Sequence, residues 1–201
     1  MEVTPNGTGV RSKLNAHLKL NPTCSNALGL MCVVSGGQTG ADRAALDVAI
    51  AVGLPHGGWC PKGRLAEDGV IPEKYQLAET NSTDYSVRTA KNVIDSDGTL
   101  VLFRQRLQGG TALTNRLAKE RGKPVLRINL DHDVKIASIQ NWIIENRIRI
   151  LNVAGPRASS DIKIYHLTYN LLRRIIESPR LPLDLDTSSA ASVEHQDAPV
   201  G

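Results

Sequence analysis

Three times along the chain a short apolar run stops at a glycine-bearing turn and a helical stretch follows at once, and this alternation constrains the fold more than any other feature. Residues 28–34 are apolar and end in Ser35-Gly36-Gly37, the way a buried parallel strand runs into a turn. Residues 41–52 then carry Ala44, Ala45, Leu46, Val48, Ala49 and Ile50 before Gly53 and Pro55, a small-residue helix with an ordinary C-terminal stop. The second unit has a strand over 99–103, a turn at Gly109-Gly110-Thr111 and a helix over 112–121 stopped by Gly122 and Pro124. The third has a strand over 148–153, the turn Ala154-Gly155-Pro156-Arg157 and a helix over 161–177. A further strand over 125–130 and helices over 84–94 and 136–146 fill the intervals.

Parallel strands need crossover helices, and the crossovers place helices on both faces of the sheet with ligand sites at the carboxyl ends of the strands. The expected fold is therefore α/β: one domain with a Rossmann-like parallel sheet and helices on both faces. Residues 57–81, rich in Gly and Pro, read as a long functional loop rather than as regular elements.

A chain of 201 residues suits one well-buried domain. That domain is expected over 28–180, with a flexible N-terminal extension over 1–27 and a flexible acidic tail over 181–201. The tail holds Asp184, Asp186, Glu194 and Asp197 and no Lys or Arg, whereas residues 31–180 hold 21 Lys/Arg against 15 Asp/Glu. The folded part is thus basic and suited to anionic small molecules. With 3% aromatics it offers little stacking surface for single-stranded nucleic acid. No apolar run approaches the roughly 20 residues of a membrane helix, so a membrane is not an expected partner either. Cys24, Cys32 and Cys60 form neither a disulfide framework nor a metal cassette, which fits a reducing, cytoplasmic setting and no metal site.

Ser35, Gly36, Gly37, Gln38, Thr39 and Gly40 sit between a buried strand and a helix N-terminus, where free amides and the positive end of the helix dipole face a bound anion. The segment is neither G-x-G-x-x-G nor a nucleoside-triphosphate P-loop. Arg43 opens the following helix within reach of a phosphate oxygen. Gly109, Gly110 and Thr111 form a second backbone cradle, and Gly155, Arg157 and Ser159 belong to a third. Lys62 and Arg64, beside Trp59, add cations and a flat ring from the long loop. Cys60 lies near both cations, which would lower its thiol pKa. No catalytic residue is assigned: His56, His132 and His166 are dispersed without a nucleophile partner.

The segments Ser-Gly-Gly-Gln-Thr-Gly-Ala-Asp-Arg from Ser35, Gly-Trp-Cys-Pro-Lys-Gly-Arg from Gly58 and Asn-Val-Ala-Gly-Pro-Arg from Asn152 together resemble the molybdenum cofactor carrier family. The likeness extends to Ala66-Glu67-Asp68-Gly69, to Arg88 with Asn92 and to Gly109-Gly110-Thr111, and covers about residues 31–177. That family lies in the Rossmann-like SLOG superfamily, with the lysine-decarboxylase-like nucleotide hydrolases. The resemblance implies a homotetramer that binds molybdenum cofactor (molybdopterin with its metal) without converting it. It also implies donors and acceptors among cofactor-synthesis proteins and molybdoenzymes.

The alternative within the same superfamily is a nucleoside monophosphate N-glycosidic hydrolase or a nucleotide-sensing module. The hydrolases resemble a Pro-Gly-Gly-x-Gly-Thr-x-x-Glu pattern. Here the matching place reads Gln108-Gly109-Gly110-Thr111-Ala112-Leu113-Thr114-Asn115, without the second Gly-Thr step or the Glu. Cleavage of an N-glycosidic bond relies on a placed carboxylate, and Glu67 or Asp68 would have to supply it from the long loop.

Overall fold

A computed structural model describes residues 27–179. The expected acidic tail, and all but the last residue of the expected N-terminal extension, lie outside the described residues. The fold is the expected one: five parallel strands form a central sheet with helices on both faces. The sheet comprises β1 (Cys32–Val34), β2 (His56–Gly57), β7 (Gly98–Phe103), β8 (Val125–Asn129) and β9 (Ile150–Ala154), in the order β2-β1-β9-β7-β8.

The helices are α1 (Ala41–Ala51), α2 (Tyr85–Asp95), α3 (Gly109–Glu120), α4 (Ile136–Glu145) and α5 (Ile164–Glu177). Side chains alternate across the strands as the period of two requires. Val33, Leu100, Leu102, Leu151 and Val153 face the main core, where Ala45 and Val48 of α1, Ile139 and Ile143 of α4, and Leu172 and Ile175 of α5 cover them. Cys32 and Val34 face the other way, toward Trp59 and Ala78. On that side α2 packs beside α3. Its buried contacts are partly polar, with Asn152 Nδ2 donating to Thr99 Oγ1 at 3.2 Å.

Counted from β9 as the first strand, the order reads 3-2-1-4-5, the doubly wound order with its chain opened elsewhere. Chains leaving β9 and β7 turn to opposite sides of the sheet, so the topological switch point falls between these two strands. That is where such sheets leave a crevice at their carboxyl edge.

Two expectations change in detail. Residues 109–111 are the first turn of α3 rather than a turn before it. The 57–81 stretch is not a bare loop: β3 (Trp59–Cys60) pairs parallel with β6 (Ala78–Glu79), and β4 (Leu65–Ala66) forms a hairpin with β5 (Gly69–Val70). These pieces are too short for a periodic signal. Their stability comes from side chains elsewhere. Arg64, at a left-handed φ of 52°, donates to the carbonyls of Ile71, Pro72, Tyr75 and Leu77. Asp47 of α1 accepts from Lys74 Nζ at 2.8 Å, from the Tyr75 hydroxyl at 3.1 Å and from the Tyr165 hydroxyl of α5 at 2.8 Å. No described helix is long and apolar enough to cross a membrane.

Candidate functional site

A cavity of about 670 Å³ opens at the carboxyl edge of the sheet, over the ends of β9 and β7. Ala154 at the end of β9 and Gly155, Pro156 and Arg157 in the turn after it line the cavity, as do Phe103 at the end of β7 and Arg104, Gln105, Arg106 and Gln108 in the strap between β7 and α3. Gly109, Gly110 and Thr111 bring the α3 N-terminus to the same wall, and Tyr85, Arg88 and Thr89 come from α2. The second and third glycine turns thus meet at one site.

The first turn contributes only Gln38, while Asp42 comes from the helix after it. Several of its other polar groups are taken up by the protein, although the amides of Gly36, Gly37 and Gly40 have no acceptor among the described residues. Ser35 Oγ donates to Val153 O at 2.7 Å, the Thr39 amide to Gln38 Oε1 at 2.9 Å, and the Ala41 amide to Pro156 O at 3.1 Å. Arg43 donates to Gly37 O at 3.2 Å and grips Asp68 through both terminal nitrogens. The glycines here make room for protein: a Cβ on Gly37 would lie 2.4 Å from Leu77 Cδ1, and one on Gly40 2.6 Å from Pro156 O. A Cβ on Gly36 would coincide with the Arg88 guanidinium.

Gly109 and Gly110 are different, because a Cβ on either would meet nothing within 4 Å. No side chain caps α3, and among the described residues the amides of Gly109, Gly110 and Thr111 have no acceptor. Orphan amides at a helix start are an anion receptor when water or a ligand must satisfy them. Of the four arginines lining the cavity, Arg88 is paired with Asp42, Arg104 with Asp131 and Asp161, and Arg157 with Glu67 at 3.5 Å. Arg106 alone has no carboxylate partner among the described residues. Its Nε donates to Gln108 Oε1 at 3.1 Å, one residue before the open amides.

Arg88 holds the floor. Its Nη1 lies 3.0 Å from Asp42 Oδ2, with side chains only 14% and 6% exposed. Gly36 leaves the space it occupies. Gly36→Ala is expected to push the guanidinium aside, destabilising the fold by about 1–3 kcal/mol and weakening anion binding, as read by thermal melting beside a phosphate titration. Unchanged binding would take Arg88 out of the site.

Glu67, offered by the sequence as a stand-in acid, does not line the cavity. It accepts from the Thr39 hydroxyl, from the Ser159 hydroxyl and from the Ser159 amide, the last at 3.1 Å. Burial raises its pKa, but the Ser159 and Thr39 hydrogen bonds and Arg157 outweigh that and hold the carboxyl below its ordinary value. Because the folded value is depressed, the clasp contributes above the unfolded pKa and is lost only as pH falls through the lower folded one. Asp68 is likewise held low, chiefly by the Arg43 hydrogen bond.

Lys62 and Arg64 do not line the cavity, and Arg64 is spent on backbone carbonyls. Trp59 is packed into the second core, its Nε1 donating to Asp95 at 2.7 Å, with the Lys91 ammonium 3.8 Å above its ring. The Cys60 thiol is pushed up rather than down, since burial outweighs the nearby Arg64, and burial takes Cys32 to about 12. Neither is a ready thiolate. Arg104 and Arg106 also line the cavity, and the sequence reading does not name them. Their signal is two long cationic side chains between the end of a buried strand and two helix-opening glycines.

Fold and cavity together define a Rossmann-like protein with an arginine-lined crevice at its topological switch point. The chain belongs to the circularly permutated YpsA SLOG family, whose family model matches residues 33–176. The permuted strand order is the structural counterpart of that description. A crystal structure of a protein named putative molybdenum carrier protein, from Syntrophus aciditrophicus SB, is 51% identical over 74% of this chain and 96% of its own, with a TM-score of 0.71. The resemblance to the carrier family read from the sequence is thereby supported. No curated protein matches the chain.

Proposed function

We propose that this protein binds molybdenum cofactor, protects it and passes it to molybdoenzymes in the cytoplasm without converting it. The observation that carries this is the open amide cradle of Gly109, Gly110 and Thr111 beside the carboxylate-free Arg106, inside a cavity of cofactor size. In this reading the cradle takes the phosphate monoester. Tyr85 and Phe103 supply ring surface for the flat pterin, and the remaining arginines supply N–H donors to oxygens at the metal end. The likeness to a protein named as a carrier supports the same direction. A homotetramer is part of the proposal, as the resemblance implies.

The hydrolase reading needs a carboxylate at liberty in the cavity. Asp42 and Asp161 are the two carboxylates that line it, and both are held by arginines. Purified protein should prolong the lifetime of molybdenum cofactor in air and reconstitute an apo-molybdoenzyme, while releasing no free base from nucleoside monophosphates. Failure to extend the lifetime removes the carrier reading. Base release transfers the site to the hydrolases, and tight nucleotide binding without turnover transfers it to the sensing modules.

A further inference from the structure

Asp131 lies in the turn after β8 and is not among the residues lining the cavity. Its carboxylate nevertheless accepts from Arg104 Nε at 2.6 Å and from the Gln105 amide at 2.6 Å. Its own amide donates to Asn129 Oδ1 at 2.9 Å, which fixes the turn from which it reaches. Arg104 extends further, with Nη1 at 3.2 Å from both oxygens of Asp161 ahead of α5. The first two residues of the strap are thus clipped between two carboxylates from different loops.

Gln105 needs the clip. Its φ of 51° is left-handed, a conformation that residues with a Cβ adopt at a cost, and Gln is not among those that adopt it most readily. Immediately C-terminal to Gln105 lies the receptor itself, made of Arg106, Gln108 and the open amides of Gly109 and Gly110. The backbone turn at Gln105 decides where that whole run points.

We propose that Asp131 is a positioning residue for the cavity, setting its affinity for phosphate-type oxyanions by holding the 104–108 strap in its strained turn while touching no ligand itself. This rests on the reading that the cavity receives an anion at the α3 N-terminus. Simple electrostatics and positioning predict opposite signs here, which makes the proposal testable. A carboxylate near an anion site repels the anion, so removing its charge alone would tighten binding. Losing the strap geometry would weaken it.

The experiment titrates inorganic phosphate into full-length wild-type protein and into Asp131→Asn at fixed pH and ionic strength. Asp131→Asn is expected to bind about tenfold more weakly. Adding Gln105→Gly, which removes the backbone strain the clip opposes, should recover most of that loss, whereas Gln105→Ala in the same background should not. Unchanged or tighter binding by Asp131→Asn overturns the proposal. So does a loss that Gln105→Gly does not relieve. Wild-type protein that binds neither phosphate nor molybdenum cofactor overturns the cavity reading as well, whereas wild-type binding with an unweakened Asp131→Asn overturns the positioning role alone.

Discussion

Gly110→Asp is expected to abolish ligand binding while leaving the fold at least as stable as before. A Cβ at this position meets nothing within 4 Å, and its backbone is not in the left-handed region, so the new side chain enters without strain. Replacing a glycine within the first turn of α3 removes a backbone-entropy cost of up to about 1 kcal/mol. A carboxylate there also meets the helix dipole favourably, by about 0.3–1 kcal/mol. The same carboxylate would occupy the orphan amides and repel an incoming phosphate. Binding should fall by about a hundredfold or more, equivalent to about 2.7 kcal/mol. Calorimetric titration beside a melting curve separates the two effects. Few substitutions would raise stability and erase binding together, and a variant that keeps its affinity would remove the α3 cradle from the site.

Asp42→Ala carries the largest expected cost to stability. The Asp42–Arg88 pair is nearly buried, and removing the carboxylate leaves the guanidinium under the first turn without its counter-charge. The Gln38 amide, which donates to Asp42 Oδ2 at 3.3 Å, loses its acceptor too. Breaking such a pair from one side costs about 3–5 kcal/mol, to be measured by urea denaturation. Replacing both partners, as Asp42→Leu with Arg88→Met, should recover part of that loss because no unpaired charge remains. A loss below about 1 kcal/mol in the single variant would mean that the pair behaves as an exposed one.

The alternation of strand and helix was legible in the sequence because buried parallel strands leave short apolar runs and their helices carry glycine stops. Strand order was not. Val33 and Leu151 are register partners although they lie far apart in the chain, and no local pattern indicates that β9 stands at the centre. The turn from Ser35 to Gly40 shows the consequence. Its glycines were visible, but the atoms that fill the space beside them come from Ile71, Leu77, Arg88 and Pro156.

The turn comes after β1, one strand removed from the switch point, and of its residues only Gln38 lines the cavity. The Gly109-Gly110 pair was visible as well, and its openness is a fact about what does not pack against it. Lys62 and Arg64 show their charge in the sequence, yet a guanidinium held at a left-handed residue serves backbone carbonyls just as well. Glu67 and Asp68, the acids that the hydrolase alternative would need, are adjacent in the chain. The hairpin turns one toward Ser159 and the other toward Arg43, and each closes the structure around the site.

The most direct measurement is a crystal structure of the protein with molybdenum cofactor bound, read at the position of the phosphorus atom. The phosphate oxygens are expected within hydrogen-bond reach of the Gly109, Gly110 and Thr111 amides and the Arg106 guanidinium. A phosphate seated instead on the amides of Ser35 to Gly40, with the α3 N-terminus left to solvent, would contradict the proposed cradle.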